Sequence, residues 1–277
     1  MSGNESLVDM IKEKLNSQDV DLPVFDLVAK RVYDETQRED FNVNRLVGLM
    51  EKDPALTSEV LKVANSNFYK GLGDIADLNQ AVVRLGAKQI SSLACAAGQK
   101  RIYSASEKRF RVRLLKLWRH ASAAALTARW VAQKAGYFDQ ADQAFVAGLL
   151  HDVGKVSLLR IIEDIGKEQE TVFSDHVIDM TLLALYCEHG DALLESWSLP
   201  DSLRSVVLGQ AAEEFDESNV LLAIVRLVDK ACAKEGVSDL PDSSICLETT
   251  HEAELLGLNP IQLAEMQLLI EDASTTL

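Results

Sequence analysis

Basic residues are in short supply. With 28 Lys and Arg against 43 Asp and Glu, the 277-residue chain carries a formal charge of −15 at pH 7. A field of that sign repels nucleic acid and anionic membrane surfaces, because both are recognised first through basic patches. Aromatic residues make up only 6% of the chain, so its core must be aliphatic. The four cysteines, Cys95, Cys187, Cys232 and Cys246, lie far apart and form no CxxC pair. That argues against a zinc knuckle or a disulfide framework and suits a reducing cytoplasm. No apolar run reaches the roughly 18 residues of a membrane span. The polar, acidic stretch from Met1 to Val20 has no apolar segment of the kind a secretory signal needs. The expected location is the cytoplasm.

What the chain has instead is apolar material at helical spacing. Hydrophobic residues make up 47% of it, enough for a sizeable core without a structural metal. Five prolines, Pro23, Pro54, Pro200, Pro241 and Pro260, separate stretches in which strand-like alternation is rare. Leu46, Leu49 and Met50 form a stripe that ends at Asp53-Pro54, where Pro54 suits a first helical turn and Asp53 its N-cap. Asn65-Ser66-Asn67 breaks that next helix, and Gly71 and Gly73 keep the chain irregular. Further helices are predicted over residues 78–85, 87–97, 111–134 (stopped by Gly136), 140–151, 182–197 and 220–234, and again in the tail.

The fold class is therefore all-α, a two-lobed helical bundle. The predicted lobes are residues 1–105 and 106–277, divided where composition shifts. Residues 100–119 hold Lys100, Arg101, Lys108, Arg109, Arg111, Arg113, Lys116 and Arg119, with Glu107 the only acid. The plain reading of this run is a solvated helix face. The sharper one is an anion site, because Arg109, Arg113 and Lys116 share a helical stripe leading toward His120.

The strongest local string is Gly148-Leu149-Leu150-His151-Asp152-Val153-Gly154-Lys155. A His-Asp pair closing an apolar helix offers one nitrogen and one hard oxygen to the same point, a combination that suits a divalent metal. Gly154 is expected to let the backbone turn out of the helix. His120 lies in an Ala-rich helix, where an unpaired imidazole is costly. Asp229 sits in the most hydrophobic late helix, where a carboxylate needs a partner. Taken singly, His120 reads as a core histidine bonded to a carbonyl, and Asp229 as the partner of Arg226 or Lys230. Taken together, two imidazoles and two carboxylates from three helices read as a metal-type set. His176 and His251 stand in polar surroundings and read as surface residues. No glycine-rich phosphate loop is present, because Gly71-Leu72-Gly73 lacks a third glycine.

The order His, His-Asp, Asp resembles the minimal signature of the HD superfamily of metal-dependent phosphohydrolases. The string Leu22-Pro23, Asp53-Pro54-Ala55-Leu56, Asn65-Ser66 and Ala81-Val82-Val83-Arg84-Leu85-Gly86 adds a closer likeness. It continues through Leu117-Trp118-Arg119-His120, Ala147–Asp152 and Trp197-Ser198-Leu199-Pro200. In this order, over about residues 22–234, the chain resembles HDOD (HD-related output domain) proteins. The resemblance implies a bacterial signal-transduction module with an HD-like second lobe, acting on signalling protein partners. The related cyclic-dinucleotide phosphodiesterases carry further histidines that build a multi-metal centre. Here the first such position falls at Tyr186, and a His-His pair would fall near Leu208-Gly209-Gln210. His189 is close but out of register and reads as a surface residue.

Two functions follow. In the first, the module is non-catalytic and works through protein contacts. In the second it is a phosphohydrolase acting on a nucleotide or other phosphoester. There His120, His151, Asp152 and Asp229 hold one divalent metal (Mn, Mg, Fe, Ni or Zn), with Lys155 near the substrate phosphate.

Overall fold

The computed structural model of the chain describes residues 6–17, 22–69, 74–214 and 216–277; Gly71 and Gly73 lie outside them. Among the described residues every regular element is a helix. Polar caps set where most of them begin, each satisfying backbone N–H groups that a helix start leaves unpaired. Ser6 opens α1 (Leu7–Asn16), Asp26 opens α2 (Leu27–Thr36) and Asn42 opens α3 (Val43–Met50). Asp53 caps α4 (Pro54–Ala64), accepting from the Leu56 N–H while Pro54 takes the first turn. Asp77 caps α5 (Leu78–Leu85), and Gly86 joins it to α6 (Ala87–Gln99).

A 3-10 turn (Lys100–Ile102) leads to α7 (Lys108–Lys134), which at 27 residues is about 40 Å long. Next come α8 (Ala141–Leu150), α9 (Val153–Glu168), α10 (Asp175–Ser196, capped by Ser174) and α11 (Asp201–Gly209). The chain closes with α12 (Val220–Lys234, capped by Asn219), α13 (His251–Leu255) and α14 (Pro260–Ala273).

Helix α7 is the axis of the C-terminal half: α8, α9, α12 and α14 all pack on it. Its buried face is largely small, including Ala121, Ala124, Ala125 and Ala128, and this lets α8 come close. A Cβ on Gly148 would lie 2.6 Å from the Ala124 carbonyl oxygen, so any side chain there would push α8, and with it His151, away from α7. In the N-terminal half α2, α4 and α5 pack on α6, which in turn meets α8. One apolar cluster runs through both halves, each fully buried Leu or Ile in it stabilising by roughly 1.5–3 kcal/mol. The N-terminal segment is also tied to the far half: Trp197 Nε1 donates to the Pro23 carbonyl at 3.0 Å, and the Phe25 ring meets Trp197 edge-on at 5.4 Å.

Helices α1, α2, α9 and α11 were not expected from the sequence, and α10 begins seven residues before the expected start at Leu182, where Ser174 caps it. The expectation for Gly154 needs correcting. The chain does not leave the helical region there; it restarts as α9 after a break at His151-Asp152. Gly154 instead permits a close crossing, since a Cβ on it would lie 2.0 Å from the Tyr186 carbonyl oxygen of α10. No helix among the described residues is long and apolar enough to cross a membrane.

Candidate metal centre

Three elements bring the four sequence-selected groups to one point. His120 comes from the middle of α7, His151 and Asp152 from the break between α8 and α9, and Asp229 from α12. His120 Nε2 lies 3.0 Å from His151 Nε2, 3.3 Å from Asp229 Oδ1 and 3.5 Å from Asp152 Oδ2. His151 Nε2 is 3.8 Å from each of the same two carboxylates. Both imidazoles are buried, whereas the Asp229 side chain is 44% exposed and forms the open side of the site.

The other ring nitrogens settle which atoms face inward. His120 Nδ1 lies 2.8 Å from the Val237 carbonyl, and His151 Nδ1 lies 2.8 Å from the Gly148 carbonyl. A carbonyl only accepts, so each Nδ1 carries the proton and each neutral ring presents its Nε2 lone pair to the cluster. Two lone pairs aimed at each other across 3.0 Å repel unless a proton or a cation lies between them. Metal–ligand bonds of about 2.0–2.2 Å place neighbouring donors about 3 Å apart, and the separations here, 3.0 to 3.8 Å, are of that order. Donor atoms of His120, His151 and Asp229 all lie within 4.8 Å of one another. The donor set fits a divalent cation.

Hydrogen bonding within the cluster also shifts how its members titrate. Burial alone would raise the Asp229 carboxyl, but bonds from His120 and His151 outweigh it and hold the group well below the usual carboxylate range. Burial alone would lower His120, but Asp229 and Cys232 outweigh it and raise the imidazole. The two single-residue readings of the sequence resolve differently. His120 does bond a carbonyl, through its other nitrogen. Arg226 and Lys230 do not pair with Asp229; both engage the buried Glu252, at 3.0 and 2.5 Å, which leaves Asp229 to the imidazoles.

Asp152 has a second partner. Lys155 Nζ lies 2.9 Å from Asp152 Oδ2 and 3.2 Å from Asp239, and it sits 4.9 Å from the centre of the Tyr186 ring. Burial opposes the charge on this ammonium, but the Asp152, Asp239 and Asp229 carboxylates more than offset it and raise its pKa. Tyr186, at the position of the first missing histidine, thus covers a lysine. At the second, the Gly209 and Gln210 carbonyls accept from Arg226 Nη1 at 2.9 and 3.1 Å.

The three candidate anion-binding residues line a groove of about 680 Å³ between α7, α9 and α10, which Asp239 also borders. Two of them already hold partners. Arg113 pairs with Asp179 and Asp175 at 2.6 and 2.8 Å, and Arg109 donates to the Phe173 carbonyl at 2.9 Å. Lys116 is exposed. His189 is a correction: it is buried, at 8% exposure, with Nε2 2.8 Å from Ser157 Oγ, and burial lowers its pKa to about 4. Its polar neighbours on α10 hid a side chain that faces α9. His176 and His251 are exposed.

Sequence reasoning missed the Val237 carbonyl, Asp239, Tyr186 as a lysine cover, and Cys232. Cys232 alone left a signal, since it follows Asp229 by three residues and so shares its face of α12.

Comparison with known proteins gives three findings. The HDOD domain model matches residues 22–212. An uncharacterized protein of Treponema pallidum (strain Nichols) is 25% identical over 210 residues, covering 70% of this chain; the chain spans 39% of that relative's length. Among solved structures, an HDOD domain protein from Geobacter sulfurreducens superimposes with a TM-score of 0.77 at 19% identity, covering 98% of each chain. A candidate metal-dependent phosphohydrolase from Shewanella amazonensis SB2B gives 0.73 at 19% identity, covering 97% of this chain and 98% of its own. A candidate signal transduction protein from Marinobacter aquaeolei VT8 gives 0.68 at 22% identity, covering 99% of this chain and 67% of its own. At these identities the structural likeness carries the fold alone.

Proposed function

The chain belongs to the HDOD family, and from that premise we propose that it is a regulatory module that acts through protein contacts and does not hydrolyse phosphoesters. One observation carries the reading: an ammonium, Lys155 Nζ, is seated against Asp152 and Asp239 beneath Tyr186. A second metal ion next to Asp152 would have to displace that buried cation, and the flanking positions offer a phenol ring and arginine-bound carbonyls in place of imidazoles. A two-metal arrangement that both activates water and steadies a leaving oxygen would therefore lack imidazole ligands at these positions.

His120, His151 and Asp229, with Asp152 behind them, would hold a single divalent ion. Such an ion would supply a positive charge that offsets the facing lone pairs. The residues themselves orient one another: Val237 and Gly148 fix the ring tautomers, and Lys155 keeps Asp152 ionised. The proposed lobe junction, near residues 105–106, lies between the turn at Lys100–Ile102 and α7. A second reading, a one-metal phosphohydrolase with Lys155 beside the substrate, draws on the solvent-open Asp229.

The test is metal analysis of protein purified without chelator, followed by a phosphoester and cyclic-dinucleotide screen with Mn²⁺, Mg²⁺ and Fe²⁺. Bound metal without turnover is the expected result. Turnover that disappears in Asp229→Ala would establish the hydrolase instead.

A further inference from the structure

Beside the groove described above, the outer face of α7 presents Lys108, Arg111, Val112, Leu115, Lys116 and Arg119, all exposed. These positions fall within about 70° of one line along the helix, spanning roughly 16 Å. Among the described residues none of the four cations makes an ion pair or a side-chain hydrogen bond. Several cations elsewhere are neutralised, since Arg113, Arg204, Arg45 and Arg101 each meet two or more carboxylates. In a chain with 43 acids, four unpaired bases on one helix face form a local concentration of positive charge. Two large apolar side chains stand among them, Val112 at 49% and Leu115 at 59% exposure.

We propose that this stripe and the adjoining groove dock an acidic amphipathic segment of a partner protein. The inference rests on the reading of the chain as a module that works through protein contacts. Charge complementarity selects an acidic partner, since the cations have no counter-charge of their own. The shape selects a segment of chain over a lipid surface. The groove is concave, with Leu117, Leu159 and Leu182 in its lining, and it can take an apolar side chain that a flat bilayer cannot insert. Its acids are offset by neighbouring cations, Asp175 and Asp179 sharing Arg113 and Asp239 pairing with Lys155, while Lys108, Arg109 and Lys116 add positive charge to the same lining. The overall charge of −15 further opposes approach to an extended anionic surface, whereas a short segment within a Debye length senses the local patch.

To test this, the full chain is titrated into a fluorescent helical peptide with leucines at three-four spacing and glutamates between them. The same peptide with lysines replacing the glutamates serves as its control. Saturable binding of the acidic peptide alone is expected. It should weaken about tenfold in Arg111→Glu/Arg119→Glu and as salt is raised, and more mildly in Leu115→Gln. These side chains are exposed and lie outside the His–Asp cluster, so melting temperature and metal content should stay at parental values. Absence of binding, or binding indifferent to the substitutions, overturns the proposal. Sedimentation with phosphatidylglycerol vesicles that is lost in the double variant would assign the stripe to a membrane. A concentration-dependent dimer lost in that variant would assign it to a second copy of this chain. Each of these failures leaves the non-hydrolytic reading intact, since that reading is decided by turnover.

Discussion

Lys155 Nζ and the Tyr186 ring centre lie 4.9 Å apart, a buried ammonium under an aromatic face. This contact joins the start of α9 to α10 and holds the charge that keeps Asp152 ionised. Replacing the lysine by a neutral side chain of similar length leaves Asp152 and Asp239 facing each other without a cation. Lys155→Met should therefore lose about 3–5 kcal/mol in urea titrations, part of it restored by Mn²⁺. A variant as stable as the parent in chelator would contradict the account of Asp152.

Asp229 is the one member of the cluster open to solvent, so it can be changed without creating a cavity. Asp229→Asn should keep the fold and lose the metal. In the parent, Mn²⁺ at about 100 times its Kd should stabilise by about 2.7 kcal/mol. A calorimetric melt of the variant should show almost none of that shift.

His189 gives a pH dependence. Its folded pKa is lowered to about 4 by burial, below the unfolded value near 6.5. Between those values the unfolded chain binds the extra proton, so stability is full above about pH 6.5 and falls as pH drops toward about 4. The total is roughly 3 kcal/mol at 1.4 kcal/mol per unit. Compared between neutral and mildly acidic buffer, His189→Gln should lose less stability than the parent. Equal losses in both proteins would remove His189 from the acid response.

Gly154→Ala tests the crossing of α9 over α10. The added methyl would meet the Tyr186 carbonyl oxygen at 2.0 Å, and both are backbone-anchored, so neither can swing aside. A destabilisation of about 2 kcal/mol or more is expected, read as a lowered melting temperature with far-ultraviolet circular dichroism unchanged.

The cluster was legible in the sequence because each of its members interrupts an apolar helix, and a lone polar group there needs a partner. Helix α5, which stops at Gly86, and the strongly apolar α12 were legible for similarly local reasons. Helix α9 was not, because Gly154 and Lys155 look like a helix end until the chain that crosses them is in place. Val237 and Asp239 act through a backbone carbonyl and a loop carboxylate, and neither leaves a periodic mark. His189 was misread because Glu188 and Asp191 flank it in sequence, while its own direction on α10 is inward.

The hydrogen bond from Trp197 to the Pro23 carbonyl spans 174 positions of chain. Closing so long a loop is entropically costly and is repaid only once both ends are packed. Trp197 is therefore expected to register a late stage of folding: with Trp118 and Trp130 replaced by phenylalanine, its fluorescence should reach the native value only when the N-terminal segment has come to rest across it, later than the signal from the helices themselves.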